Sequence, residues 1–571
     1  VTYEQFGAAG DGVTNDYNAI VAAHTYANEN DLPVKAQEGA VYYVGNLNPN
    51  NKAGAIVTTD TDWTGAKFII DDSLMSNTEN ERKSFLFTIA SERKMEEKWI
   101  IQSDDTKMIG LDPNLSSYPE YPTQIPVSQA NSMLNRSFPA GTTELEGDFG
   151  EQALYVLETP YFTRWGRRGY DNGRAQIEAI IVNSNGTINQ ASPIEWPWDH
   201  IYIIKKFAID ETPLYVKGGS FTTIVNTLNT ASGCYRGIHI TRSNTIIDGV
   251  EHYLTGEEVA PTAVYSNISY PTLGAPYGGF IRIENCAFIT LRNLKTSAHK
   301  KSYIEGSSTA PYEIYAEYVC GLNLENCTDV TDIMDKSRWG TFATNYCKSI
   351  VVDSCRFNRV DAHMGVYNIT VKNSTLGYIG LLAVGFGNMN LENCTLYSNY
   401  LVGFRTDYGS AWYGDVNIKN CTWKPNENSF YMFDAKFDTE FDYCYEHVDG
   451  YAVCVAEHIN IDNLTVDLSA FKSSSLFANK MNVFSITTNE KINGVMTEYN
   501  QAYLNSTRNV YPHRPPKEVN ISNLTYIINT NLKANGKLDV VLRNDGSAAF
   551  YKPTTLNYDP NTTQYIYSDG N

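Results

Sequence analysis

No run of this 571-residue chain approaches the roughly 18 consecutive apolar residues that a membrane span requires, so insertion into a bilayer is not expected. Positive charge is also scarce. The 44 Lys and Arg stand against 64 Asp and Glu, a formal net charge of −20. A surface of that sign repels phosphate backbones and anionic headgroups, which argues against nucleic acid as a partner. Val1, Thr2 and Tyr3 begin no basic stretch followed by an apolar one, so the expectation is that any signal peptide has been removed or never existed. Cysteine is sparse too: ten in a chain this long do not make a disulfide framework. Tyrosine, by contrast, is abundant, with 40 residues beside 8 Trp. Rigid rings with a polar edge suit both strands and stacking contacts with sugars.

The length exceeds the roughly 100–200 residues of one ordinary domain, which leaves several domains or one elongated solenoid. A short pattern decides between them: two apolar residues two apart, then Asn two further on. It occurs at Ile289, Leu291 and Asn293, at Leu322, Leu324 and Asn326, and, with Ser in place of Asn, at Ile350, Val352 and Ser354. It continues at Ile369, Val371 and Asn373, at Met389, Leu391 and Asn393, and at Val416, Ile418 and Asn420. Further copies stand at Ile459 to Asn463 and Val519 to Asn523. Alternation with period 2 makes each copy a strand with one buried face. The residue after the Asn falls at 294, 327, 355, 374, 394 and 421, at intervals of 33, 28, 19, 20 and 27. Constant phase with variable spacing is the signature of stacked coils whose insertions bulge out at turns. Asn suits the turn conformation and can bond the Asn one coil away. Cys327, Cys355, Cys394 and Cys421 are then expected inside as unpaired thiols.

The opening of the chain supports the same architecture. Gly10, Asp11 and Gly12 precede an amphipathic stretch around Ala19 to Ala23, and Val41 to Val44 follow. This resembles the first segment of the pectin-lyase-like right-handed parallel β-helix superfamily of polysaccharide-degrading enzymes and phage tailspike depolymerases. The resemblance implies a helix capping the solenoid, which would otherwise expose its core and a strand edge. It is specific for fold and weak for reaction. Expected divisions are 1–45 as cap and first strands, 46–235 as early coils with an irregular insertion, 236–530 as regular coils, and 531–571 as an edge or tail.

Of the polygalacturonase signatures of that superfamily, Asn-Thr-Asp, Gly-His-Gly and Arg-x-Lys do not occur, and Asp-Asp stands only at Asp71 and Asp72 and at Asp104 and Asp105, outside the repeated copies; the nearest echo of Arg-x-Lys is Arg405 and Asp407. Trp198, Asp199 and His200 faintly resemble a pectate-lyase tripeptide. Counting from the register positions instead collects a polar column: His299, Asp335, Asp361, His363, Arg405 and Asp407. With coils about 4.8 Å apart, Asp332 or Asp335 would lie about one coil from Asp361 and Asp407 about two. Carboxyl pairs at such spacings suit glycoside hydrolysis. Asp361, Asp335, His363 and Asp407 are therefore the catalytic candidates. Arg405, Arg338, Trp339, Arg356, Tyr408, Trp412, Asp415 and His299 are candidates for holding substrate. A lone Asp at such a turn is more often a turn former, and a lone His more often structural.

Three functions fit: a hydrolase using a carboxyl pair, a lyase acting on uronic-acid units, or a fibre that grips glycan without cleaving it. A lyase would need a cation such as Ca²⁺ to neutralise the substrate carboxylate, and His363 or Lys300 as base. Each implies a polysaccharide partner and an extracellular setting, on a virion or secreted. A tailspike would be a homotrimer.

Overall fold

A computed structural model of the protein describes residues 1–45, 50–73, 75, 78–93, 95–99, 137–164, 174–198, 201, 203–226, 235–259, 262–265, 268–271, 279–304, 307–309, 312–405, 408, 411–427, 430–435, 453–471, 480–485, 491–492, 495–496, 513–530, 538–544 and 551–568. Almost all of the regular structure is β, and most strand pairs are parallel. The chain divides into two compact units. One comprises Val1–Met95, Phe207–Thr344 and Val352–Val360; the other comprises Glu96–Lys206, Asn345–Val351 and Asp361–Asn571.

The first unit opens as expected, with helix Tyr17–Glu29 between strands Asp11–Asn15 and Val41–Val44. Ala19, Ile20, Ala23 and Ala27 form its buried face. The Asp16 carboxylate fixes the preceding turn by accepting from Ala9 N at 2.7 Å and Gly10 N at 3.2 Å. Parallel rungs follow in register: Tyr42 pairs with Phe68, Phe68 with Phe221, and Phe221 with His252. Inward rings consequently stack, Tyr42 to Phe68 at 5.2 Å and Phe68 to Phe221 at 4.6 Å. Such contacts add to the area they bury. Leu291 pairs with Leu324, as the repeat predicts.

In the second unit Leu391 pairs with Ile418, Ile418 with Ile461, and Ile461 with Ile521. The sequence pattern fades after about residue 525. The rungs nevertheless continue, because Ile521 pairs with Tyr558 and Ile527 with Ile566. This unit also carries a four-stranded sheet of Glu96–Trp99, Ile203–Ala208, Ala153–Arg164 and Arg174–Val182. Phe138, Tyr155, Leu157, Ile180 and Trp198 belong to its own core.

The repeated Asn does what its position predicts. Asn293, Asn326, Asn373, Asn393, Asn420 and Asn463 all have φ between 51° and 56°, the left-handed region that Asn tolerates. Asn326 Nδ2 donates to Asn293 Oδ1 at 2.8 Å, Asn393 to Asn373 at 3.1 Å and Asn463 to Asn420 at 2.8 Å. Cys327, Cys355, Cys394 and Cys421 are buried and free. Among the described residues, no helix is long and apolar enough to cross a membrane.

Candidate functional site

The sequence-predicted residues fall in both units, and four of them converge in the second. Strand Arg356–Lys372 carries Asp361 and His363 on alternate positions before bending at Met364 and Gly365, whose φ angles are 24° and 82°. Arg405 Nη1 donates to Asp361 Oδ1 at 2.6 Å, and His363 Nε2 lies 3.0 Å from the same oxygen. The Arg405 guanidinium lies over the Tyr408 ring at 4.9 Å, and the His363 and Tyr408 rings are 6.0 Å apart. Asp361 is fully buried and Arg405 nearly so, whereas the His363 side chain keeps 12% of its surface. This revises the expected role of Asp361. A carboxylate sealed from solvent cannot meet a glycan, but it can fix an imidazole that does.

Two other candidates in this unit have different surroundings. Trp412 is fully buried, and its indole N–H donates to Gly387 O at 3.0 Å, so its ring offers no face to a sugar. Asp415 pairs with His458 Nδ1 at 2.8 Å on an exposed face. Asp407, Asp199 and His200 lie outside the described residues.

The first unit holds the rest, of which Arg338 lines a cleft of about 350 Å³ together with Tyr253, Glu257, Glu258, Lys300 and Thr331. His299 is buried beneath it rather than lining it, with Nδ1 3.1 Å from Glu257 Oε1. Burial acts to raise the Glu257 carboxyl, but the His299 hydrogen bond and the charges of His299 and Arg338 hold it below the usual range. Asp335 is a turn former: its Oδ1 accepts from Ser337 N at 2.9 Å and Ser337 Oγ at 2.6 Å. Its other oxygen stands 3.2 Å from Arg338 Nε. Trp339 lies 4.9 Å from the Arg359 guanidinium, a cation–π contact. The Arg356 guanidinium is committed to the carbonyls of Asp329 and Thr331, at 2.7 and 3.2 Å. Asp335 and Asp361 thus each have partners within their own unit, Ser337 and Arg338 for the first and Arg405 and His363 for the second.

Sequence reasoning missed a further cluster in the second unit. Glu178, Glu195, Trp196, Lys348 and Phe386 line a small cavity that Gly365 also borders, two residues beyond His363. Lys348 Nζ lies 2.6 Å from Glu178 Oε1, and both side chains are almost fully buried. Glu178 also accepts from Glu195 N at 2.6 Å and from the Trp198 indole at 2.9 Å. Burial pushes the Glu195 carboxyl up to about 7, with Glu178 adding to the rise and Lys348 opposing it. The available signal was Glu195 alternating with Ile194, Trp196 and Trp198, an isolated carboxyl in an aromatic stretch.

Among the described residues, no group of three or more His, Cys, Asp or Glu is arranged to hold a metal ion. No protein-family model matches the chain, and no curated protein matches it. Among solved structures it is similar to the tailspike protein gp49 from Pseudomonas phage LKA1, at 14% identity and a TM-score of 0.46, covering 92% of this chain and 81% of that one. It is similar to the tailspike gp61 of Pseudomonas phage phi297, at 13% and 0.42, covering 92% and 80%. A third is the Gp54 tailspike of Acinetobacter baumannii bacteriophage AP22, solved in complex with A. baumannii capsular saccharide, at 10% and 0.38, covering 97% and 79%. Likeness at this level assigns no activity to the chain.

Proposed function

We propose that this protein is a right-handed parallel β-helix that binds and cleaves a polysaccharide, with glycoside hydrolysis favoured. The observation that carries the proposal is the buried Asp361 carboxylate, which holds Arg405 and His363 through one oxygen and leaves the imidazole as the least buried member, at 12% of its surface. An imidazole oriented by a carboxylate is suited to moving a proton near neutral pH. Tyr408 is packed against the same cluster and is itself nearly buried, which keeps the Arg405 guanidinium in place. Asp361 and Arg405 thus act through position, and His363 through contact with the glycan.

The setting that suits this activity is extracellular. In the tailspike form of the proposal the protein is a homotrimer acting on a bacterial surface glycan, and a sedimentation mass near that of one 63.9 kDa chain would exclude that form. A second reading is a lyase on uronic-acid units. It is favoured by an imidazole and a guanidinium meeting at one carboxylate, since β-elimination needs a base beside positive charge. Size-exclusion profiles of bacterial polysaccharides before and after incubation test the proposal. Shortened chains without ultraviolet absorbance support hydrolysis, shortened chains carrying an absorbing unsaturated uronate support the lyase, and unshortened chains across the panel overturn both.

A further inference from the structure

Three rungs of the first unit stand in register beside its cleft: Glu251 pairs with Lys295, and Lys295 with Thr328. Residues a few positions further along each rung line the opening, Leu254 and Glu257 from the first, Ser297 and Lys300 from the second, Val330 and Thr331 from the third. Its volume of about 350 Å³ falls within the range of about 300–1,000 Å³ usual for small-ligand sites. Glu257 supplies a nearly buried carboxylate whose Oε1 lies 3.1 Å from His299 Nδ1 and accepts from Lys300 N at 3.1 Å. Its Oε2 has the Arg338 guanidinium at 3.8 Å, beyond a hydrogen bond, and so retains an acceptor for a hydroxyl seated in the cleft. Arg338 is committed elsewhere: Nη1 donates to Ala298 O at 2.6 Å, and Nε stands 3.2 Å from Asp335. Lys300 differs. Among the described residues its ammonium has no hydrogen-bond or ion-pair partner, and only its backbone N–H is engaged.

The rest of the lining is partly apolar. Tyr253 gives its hydroxyl to Glu251 Oε2 at 2.9 Å, which leaves its ring as its contribution beside Leu254 and Val330. The balance of charge then selects the ligand. A ligand carboxylate would meet Glu257 and Glu258 for the sake of one uncommitted cation, and a ligand cation would meet Lys300 and Arg338. A neutral sugar meets neither cost. Neighbouring ring hydroxyls both donate and accept, so one can donate to Glu257 while the next accepts from Lys300. We propose that this cleft binds a neutral pyranose residue of a glycan, held by Glu257 and Lys300 and covered on its C–H face by Tyr253 and Val330. The proposal rests on the glycan-binding part of the function above and not on cleavage, since the His363 cluster belongs to the other unit.

The test is titration calorimetry of the full chain carrying His363→Ala, which removes turnover from the measurement. The probes are neutral oligosaccharides of glucose, galactose, mannose and rhamnose, with oligogalacturonate as the acidic counterpart. At least one neutral probe binds, and oligogalacturonate binds about 10-fold or more weaker than it. Adding Lys300→Met weakens the bound probe about 10- to 100-fold, the worth of a hydrogen bond to a charged group. Adding Val330→Trp, at a side chain 42% exposed, fills the cleft and removes binding with the melting temperature kept. Glu257→Gln also removes binding, but the carboxylate holds His299 as well; if that variant does not fold, the other two decide. No neutral probe bound, tighter binding of oligogalacturonate, or binding unchanged in Lys300→Met or in Val330→Trp overturns the proposal. Cleavage is judged separately: polysaccharide shortened by wild type alongside any of these results leaves the function above standing without this site. Neutral probes bound as expected by a protein that shortens no polysaccharide uphold the site and overturn cleavage alone.

Discussion

Arg405 and Asp361, 44 residues apart in sequence, form a buried ion pair at 2.6 Å, and the same carboxylate oxygen holds His363 at 3.0 Å. The pair links the partly buried imidazole of the cluster to the packed interior of its unit.

Because both partners are buried, truncating one takes from the other its ion-pair partner in a place where water cannot replace it. Arg405→Met should lower stability by about 3–5 kcal/mol, more than a surface pair would cost. Asp361→Asn, which would be nearly silent at an exposed turn, should also lower the melting temperature, since the amide keeps the shape but not the charge. Denaturant titration of both variants measures this. A change below about 1 kcal/mol in Arg405→Met would show that the pair is not a buried one.

The Asn ladder gives a second prediction. Asn393 sits at φ 54° and donates to Asn373 at 3.1 Å. Asn393→Ala should cost about 1–3 kcal/mol from the left-handed backbone and the lost bond together. Asn393→Gly, which removes only the bond, should recover part of that loss. Thermal unfolding of the two variants side by side separates the contributions.

Much of the fold was legible because it rests on local chemistry that repeats. The period-2 alternation marks strands, and Asn293, Asn326 and Asn393 mark a left-handed turn that few other side chains accept. The site was only half legible. Register counting singles out Asp361, His363 and Arg405, but it cannot say that Asp361 points inward and that His363 is the least buried of the three. Trp412 stands near Arg405 in sequence, but its pairing with Gly385 turns it inside, which the local sequence does not show. At Asp335 the expected acid is also a turn former, because Ser337, two residues on, donates to its carboxylate from both N and Oγ. Glu195 was missed because nothing local ties it to Lys348, and only the packing of the sheet on the rungs creates its environment. The last rung escaped notice because Thr555–Tyr558 keeps the strand but loses the repeat's turn pattern.

Acid should destabilise the first unit through Glu284. Burial raises its carboxyl, but the His239 hydrogen bond and the Arg282 guanidinium outweigh burial and hold it at about 2, against an ordinary 4.5. A folded-state pKa below the unfolded one gives stability that is fully present above about pH 4.5 and is lost as the pH falls toward 2. The contribution is on the order of 3 kcal/mol. Glu284→Gln should flatten the fall in melting temperature across that interval. An unchanged slope would remove Glu284 as its source.

The thiols of Cys327, Cys355, Cys394 and Cys421 should be silent in the folded protein and react on unfolding. Cys327 N lies 3.4 Å from Cys355 Sγ, and all four side chains are buried. Counting thiols on denatured, unreduced protein should find each of them free. A disulfide among them would contradict the rung packing.

The most direct test of the central claim is reducing-end release from a panel of bacterial polysaccharides by wild type and His363→Ala, with melting temperatures measured in parallel. The account predicts oligosaccharide release by wild type and at least a roughly 100-fold fall in turnover in His363→Ala, with the fold retained. Release by the variant at the wild-type rate, or no release from any polysaccharide by wild type, would contradict it.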